Sequence, residues 1–151
     1  KEFFLDCYNE VSNYSKDRGI DLLIENNVIS EANYNEFNCN PLLMTSAEEC
    51  LHVMENTPQN VNLLIDVAHL KVSANSLNFN PHNFLNECHS WIKGYHLSDN
   101  DGKSDTNNTI NEKSWFWNYL KSDVDFTIEV YNKSAKELKI LLDFVNNKIR
   151  P

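Results

Sequence analysis

Four ionisable residues stand where apolar runs end: Glu25 closes "LLIE", Asp66 closes "NLLID", His96 lies in "GYHLSD" and Glu129 in "FTIEV". They are separated along the chain by 41, 30 and 33 residues. A barrel of eight βα units spends roughly 30 residues on each, so the spacing predicts one such group at the end of each successive strand. In parallel α/β folds the carboxyl ends of the strands converge on one site. Burying one unpaired carboxylate is costly, and burying three together is prohibitive unless a cation compensates. Three carboxylates and an imidazole suit Mn²⁺, Mg²⁺, Co²⁺ or Zn²⁺. Any one of these residues alone would serve equally well as a helix cap or a satisfied strand end, so the pattern of four carries the inference. Within "GYHLSDND", His96 reads as a ligand and Asp101 beside Gly102 as a turn, while Asp99 fits either role.

The elements that must position these groups follow from periodicity. "EFFLDCYNEVSNYSKD", Glu2 to about Asp17, predicts a helix with Phe3, Phe4, Cys7, Tyr8, Val11 and Tyr14 on its apolar face. Gly19 stops it, and "IDLLIEN" follows as a strand covered on both faces. Residues 27–40 are polar and without clear period. Thr45 or Ser46 caps a helix reaching about Asn56. Then "VNLLIDVAH" predicts a strand, "PHNFLNECHS" a helix opened by Pro81, "WIKGYHL" a strand and "EKSWFWNYLKS" a short helix. "DFTIEV" predicts the last strand, and "SAKELKILLDFVNNKI" a long helix with Leu138, Leu141, Leu142 and Val145 inward. Strands alternate with helices and no tight hairpin joins them, which implies a parallel sheet with helical crossovers.

At 151 residues the chain suits one domain, and a 41% hydrophobic share is that of a folded protein. A net charge of -9 argues against a general nucleic-acid binder, which needs a basic face. No apolar run approaches the roughly 18 residues needed to cross a membrane. Cys7, Cys39, Cys50 and Cys88 include no CxxC pair, which predicts reduced thiols and a cytoplasmic location. Only three glycines are present, so a backbone phosphate cradle is not expected, and no P-loop, dinucleotide or G-x-S-x-G motif occurs. His52, His82 and His89 fall on predicted helices and, like Trp91, Trp115 and Trp117, are expected to pack rather than ligate.

Taken together these residues resemble the xylose isomerase-like TIM barrels, a group of sugar and sugar-phosphate isomerases and epimerases that also includes endonuclease IV. The resemblance covers most of the chain, as the C-terminal half of such a barrel. It implies that Glu25, Asp66, His96 and Glu129 hold a divalent metal at the ends of barrel strands five to eight. The D-x-x-H pair of Asp66 and His69 matches the family, where the second histidine faces substrate or a further metal. "HLSDNDGKSD" is similar to a loop of its isomerase-like members, and Glu31 falls where the ketose epimerases carry a substrate-contacting glutamate. Two departures stand out. Endonuclease IV has Asp-x-His where this chain has Asp105 and Asn107, which speaks against DNA repair. Ketose epimerases place an arginine where Gly102 stands, with only Lys103 nearby.

The resemblance implies a single α/β domain, residues 1–151, of about four βα units of a (β/α)8 barrel, the N-terminal half being expected upstream of Lys1. It also implies divalent-metal-dependent isomerisation or epimerisation of a sugar or sugar phosphate, although this half alone need not be active. Glu25 and Glu129 would transfer the proton beside the carbonyl. His69, Glu31 and Lys103 would contact substrate, and Asp99 and Asp105 would support the ligands. A lyase, dehydratase or oxidase on the same scaffold, or a non-catalytic sugar-binding relative, is the alternative. The expected partner is a small-molecule sugar or sugar phosphate, with homo-oligomers compatible with the fold and neither nucleic acid nor membrane involved.

Overall fold

The computed structural model describes residues 2–150. Short apolar runs form four strands: β1 (Leu22–Glu25), β2 (Val61–Asp66), β3 (Ile92–Leu97) and β4 (Asp125–Ile128). They pair in sequential order and all in parallel. Around them lie α1 (Glu2–Lys16), α2 (Glu31–Phe37), α3 (Ala47–Glu55), α4 (Val67–Leu77), α5 (Pro81–Glu87) and α6 (Ala135–Ile149). This is the α/β alternation expected of parallel strands with helical crossovers. Among the described residues, β1 and β4 are the sheet edges.

The two faces of the sheet differ. Val61, Leu63 and Ile65 on β2, with Tyr95 and Leu97 on β3, turn toward the helices and are buried. The intervening positions form the other face, where Leu64 is half-buried and Asp125 and Thr127 are exposed. Gly94 belongs to that face: a Cβ there would come within 3.0 Å of Leu64 Cδ1 and 3.1 Å of Leu23 Cδ1. Glu25, Asp66, His96 and Glu129 follow the same alternation onto it.

Local chemistry explains the helix boundaries. Ser46 caps α3 by accepting from Glu49 N–H, and Pro81 opens α5 behind the Asn80 cap. Ser134 and Glu137 form a reciprocal capping box on α6. With glycine scarce, asparagine takes left-handed positions: Asn38, Asn78, Asn107 and Asn132 have φ between 46° and 58°. Its short polar side chain tolerates this conformation better than most, and Asn38 and Asn78 thereby end α2 and α4.

Several elements differ from the sequence expectation. "VAH" continues no strand, because Asp66 caps α4 and the chain turns helical at Val67. Residues 27–40 hold α2, which buries none of its residues and so shows no apolar period. "EKSWFWNYLKS" yields only a 3₁₀ turn at Trp117–Tyr119, its aromatics packing against the core irregularly. On α1 the inward stripe is half-buried Phe4, Leu5 and Tyr8 with buried Ser12 and Ser15, while Phe3, Cys7, Val11 and Tyr14 are exposed. Ser12 and Ser15 hydrogen-bond Asn60 before β2, and this fixes the helix's rotation. On α6, Leu141, Val145 and Ile149 are buried and Leu142 is exposed.

The asymmetry of the sheet is measurable at neighbouring residues. Ile65→Ala should cost about 2–5 kcal/mol in urea unfolding, and Leu64→Ala distinctly less, because only the first leaves a sealed cavity. The reverse order would show that the face bearing the ionisable residues is the packed one.

Candidate metal centre

Strand register sets the stagger of the four predicted ligands. Glu25 pairs with Leu64, two residues short of Asp66, whereas Asp66 pairs directly with His96. His96 pairs with Thr127, and Glu129 lies two residues beyond it, its N–H donating to Leu97 O at 3.0 Å. Steps of two, none and two residues average close to one per strand, the stagger of tilted strands in an eight-stranded barrel with shear 8. In a flat sheet the outer strands would lie three spacings, about 14 Å, apart. Yet one ligand atom from each of Glu25, Asp66, His96 and Glu129 lies within 4.8 Å of all the others. The sheet is therefore curled, and the four side chains converge on its inner side.

Asp66 has two separate tasks. Its Oδ1 accepts from Ala68 N–H at 2.7 Å and His69 N–H at 2.8 Å, capping α4. Its Oδ2 is buried without any hydrogen-bond partner. His96 Nδ1 is likewise buried and unpartnered. It lies 3.1 Å from Glu129 Oε2 and 3.4 Å from Glu25 Oε1, but neither contact has hydrogen-bond geometry. Two orphaned polar atoms facing two carboxylates fit a cation between them. The spread also fits: opposite ligands of one ion stand about 4.2 Å apart for Mg²⁺ and up to about 5 Å for larger cations.

Electrostatics say the same. Burial pushes the Asp66 carboxyl up to about 6, and the Glu25 charge adds to this against the opposing pull of His69 and the two capping N–H groups. Burial also disfavours a charged His69. The Asp66 charge, the Asn26 carbonyl and the Asp105 and Glu25 charges outweigh that and raise its pKa. His69, in the first turn of α4, places Nδ1 3.1 Å from Asn26 O and 3.4 Å from Glu25 Oε1. Its Nε2 lies 3.2 Å from Asp105 Oδ2. A carboxylate–imidazole–carboxylate chain thus leads out of the cluster.

Asp105 arrives on the long segment after β3, which the chain ties down elaborately. Asp99 and Asn108 exchange backbone hydrogen bonds, and Ser98 Oγ donates to Asn107 Oδ1 at 3.1 Å. Asn100 Nδ2 donates to Ala68 O at 3.0 Å, docking the segment on α4. Lys71 of α4 holds Asp99 at 2.7 Å and also reaches the Asn100 carbonyl. Asp99 is therefore paired with a lysine. Asp101 accepts from Lys103 N–H and Ser104 N–H, which lower its pKa and make it the turn.

The structure gathers Glu25, Asp66, His69, His96, Asp105 and Glu129 into one place. Among the described residues, no ion pair or side-chain hydrogen bond joins Glu31 or Lys103 to that group; Glu31 is exposed in the first turn of α2 and Lys103 is exposed after the turn. Periodicity did not single out Asn26, Lys71 or Asn100, which brace the site. In "IENN" and "SDND" nothing in the sequence itself separates Asn26 and Asn100 from the many turn-forming asparagines of the chain. A hollow of about 430 Å³ between residues 109–112 and α6 is lined by none of the six. His82 stacks on Tyr119 and Trp115, a packing role.

No protein-family model matches the sequence, and no curated protein matches it. Among solved structures, a Rhodospirillum rubrum protein provisionally named a xylose isomerase superposes over 95% of this chain with a TM-score of 0.55 and 20% identity. The fold is half of a xylose isomerase-like barrel. The chain spans 51% of that structure's length.

The raised Asp66 pKa makes a signed prediction for the metal-free half-barrel. A carboxyl raised in the fold contributes stability that is full below its unfolded pKa, near 4, and is lost as pH rises through about 6. Asp66→Asn keeps the capping oxygen and removes the charge. Its stability advantage over the wild type should therefore grow by roughly 3 kcal/mol between about pH 4 and about pH 8, read by urea unfolding with chelator present. A constant difference across that range would show that Asp66 is not a buried charge awaiting a cation.

Proposed function

We propose that this chain supplies the metal-binding half of a sugar, or sugar-phosphate, isomerase or epimerase. The observation that carries the reading is the convergence of Glu25, Asp66, His96 and Glu129 within 4.8 Å, with Asp66 Oδ2 and His96 Nδ1 left unpartnered. The likeness of fold to a protein provisionally named a xylose isomerase agrees with it. Those four residues would hold Mn²⁺, Mg²⁺, Co²⁺ or Zn²⁺, hard or borderline ions suited to carboxylate and imidazole. When bound, the cation would stabilise negative charge developing on adjacent substrate oxygens.

The protein's own groups would do the rest. Glu25 and Glu129 come from the outermost strands and face each other across His96. One of them, as carboxylate, takes the proton beside the carbonyl, and the other, as carboxylic acid, gives one up to the opposite face, as epimerisation requires. His69, held by the Asn26 carbonyl and Asp105, would orient a substrate hydroxyl next to Glu25. The half-barrel's inner face would bind substrate once four further βα units close over it, and those units would contribute the remaining substrate contacts.

With the complete barrel, added Mn²⁺ or Co²⁺ and a panel of aldoses and ketoses in D₂O, deuterium should appear on the carbon beside the carbonyl. Glu129→Gln should slow incorporation by about 10²–10⁴-fold. Loss of water or a change of oxidation state in the product would assign a lyase, dehydratase or oxidase. Binding of sugar with no exchange would assign a non-catalytic role.

A further inference from the structure

Past Asn26 N–H, which still donates to Leu64 O of β2 at 3.3 Å, a side chain takes the place of the parallel ladder between β1 and β2. Asn26 Oδ1 accepts from Asp66 N–H at 2.7 Å, and Asn26 Nδ2 donates to Asp66 O at 3.2 Å. One carboxamide thus satisfies both backbone groups of the residue that is at once strand end, helix cap and predicted ligand. Asn26 is 2% exposed, so no solvent competes for these bonds. The main chain meanwhile leaves the ladder: Asn27 N–H donates to Met44 O instead of to β2. A third contact comes from the backbone of Asn26, whose carbonyl lies 3.1 Å from His69 Nδ1.

Resting on the reading of the cluster as a metal centre, we propose that Asn26 is a positioning residue that sets the Asp66 carboxylate for the cation. The argument is geometric. With its peptide groups clamped, Asp66 has only its side-chain torsions free, and the α4 N–H groups of Ala68 and His69 fix those through Oδ1. The remaining oxygen, Oδ2, then has one direction left, into the cluster. Aspartate's short side chain cannot recover a displaced backbone by extending, so a small shift of the Asp66 peptide moves Oδ2 off the ion. Removing the carboxamide would also strand the buried Asp66 N–H, and the simplest relief is for Asp66 to swing toward solvent or water. Outer partners of this kind alter metal affinity by about 10–100-fold when lost.

The comparison residue is Asn60, which makes a similar triple contact at the opposite end of β2, with Ser12 and Ser15 of α1. Its loss is structural and remote from the cluster. The experiment titrates Co²⁺ into this chain and reads affinity together with the visible d–d spectrum at saturation, for wild type, Asn26→Ala, Asn26→Leu and Asn60→Ala. Thermal melting of each metal-free form is recorded alongside. Asn26→Ala should weaken Co²⁺ binding at least about 10-fold and change the band intensity at saturation, because the ligand set is altered. Asn60→Ala should lower the melting temperature and leave affinity and spectrum unchanged. Asn26→Leu fills the same space without hydrogen bonds and should match or exceed the alanine effect; if it does not fold, Asn26→Ala decides alone. Wild-type affinity and spectrum in Asn26→Ala would overturn the positioning role and leave the metal centre standing. A wild-type chain that binds no Co²⁺ would overturn both.

Discussion

Everything at the functional end of this molecule depends on one electrostatic constraint: three carboxylates and an imidazole are brought within a few ångströms on the inside of a curled sheet. Like charges at such distances repel strongly once solvent is thinned, and a buried carboxyl answers either by taking up a proton or by finding a cation. Asp66 shows the first response, with its pKa raised to about 6. The unpartnered Asp66 Oδ2 and His96 Nδ1 show the place left for the second. The rest of the site is arranged around that tension. Asn26 and the first turn of α4 hold Asp66, while Lys71 and Asn100 hold the segment that brings Asp105 to His69.

The division of labour within single residues is what makes so small a sheet sufficient. Asp66 ends a strand, caps a helix and offers a ligand atom, three tasks that use its backbone, one oxygen and the other oxygen. His69 likewise closes the gap between Glu25 and Asp105 through its two nitrogens. Strand-end caps and strand-end ligands are usually weighed as rival readings of such an aspartate. In this fold the two are compatible, since capping by Oδ1 leaves Oδ2 unpartnered and directed into the cluster.

The sequence made the sheet legible because its strands are short apolar runs bounded by polar residues, and the order Glu25, Asp66, His96, Glu129 was readable from spacing alone. What stayed hidden has common physical causes. Helix α2 buries none of its residues, so no period marks it. Helix α4 begins inside what reads as a strand, because a capping aspartate ends one element and starts the next without a turn residue. The face of α1 was misread because its inward stripe contains Ser12 and Ser15, bonded to Asn60, whereas Phe3, Val11 and Tyr14 lie outside. The braces of the site are asparagines in a chain full of asparagines, and only tertiary contacts distinguish Asn26 and Asn100 from those that merely make turns.

The central claim is that the cluster is a centre for a single divalent cation. Manganese is the direct probe, since free and bound Mn²⁺ differ in their electron paramagnetic resonance signal. Titration of the chain at neutral pH should show one Mn²⁺ bound per chain, at micromolar levels or tighter, with binding abolished in the Asp66→Asn, His96→Ala double variant. Free-ion signal rising in proportion to added Mn²⁺ from the first addition, the same in wild type and variant, would contradict it.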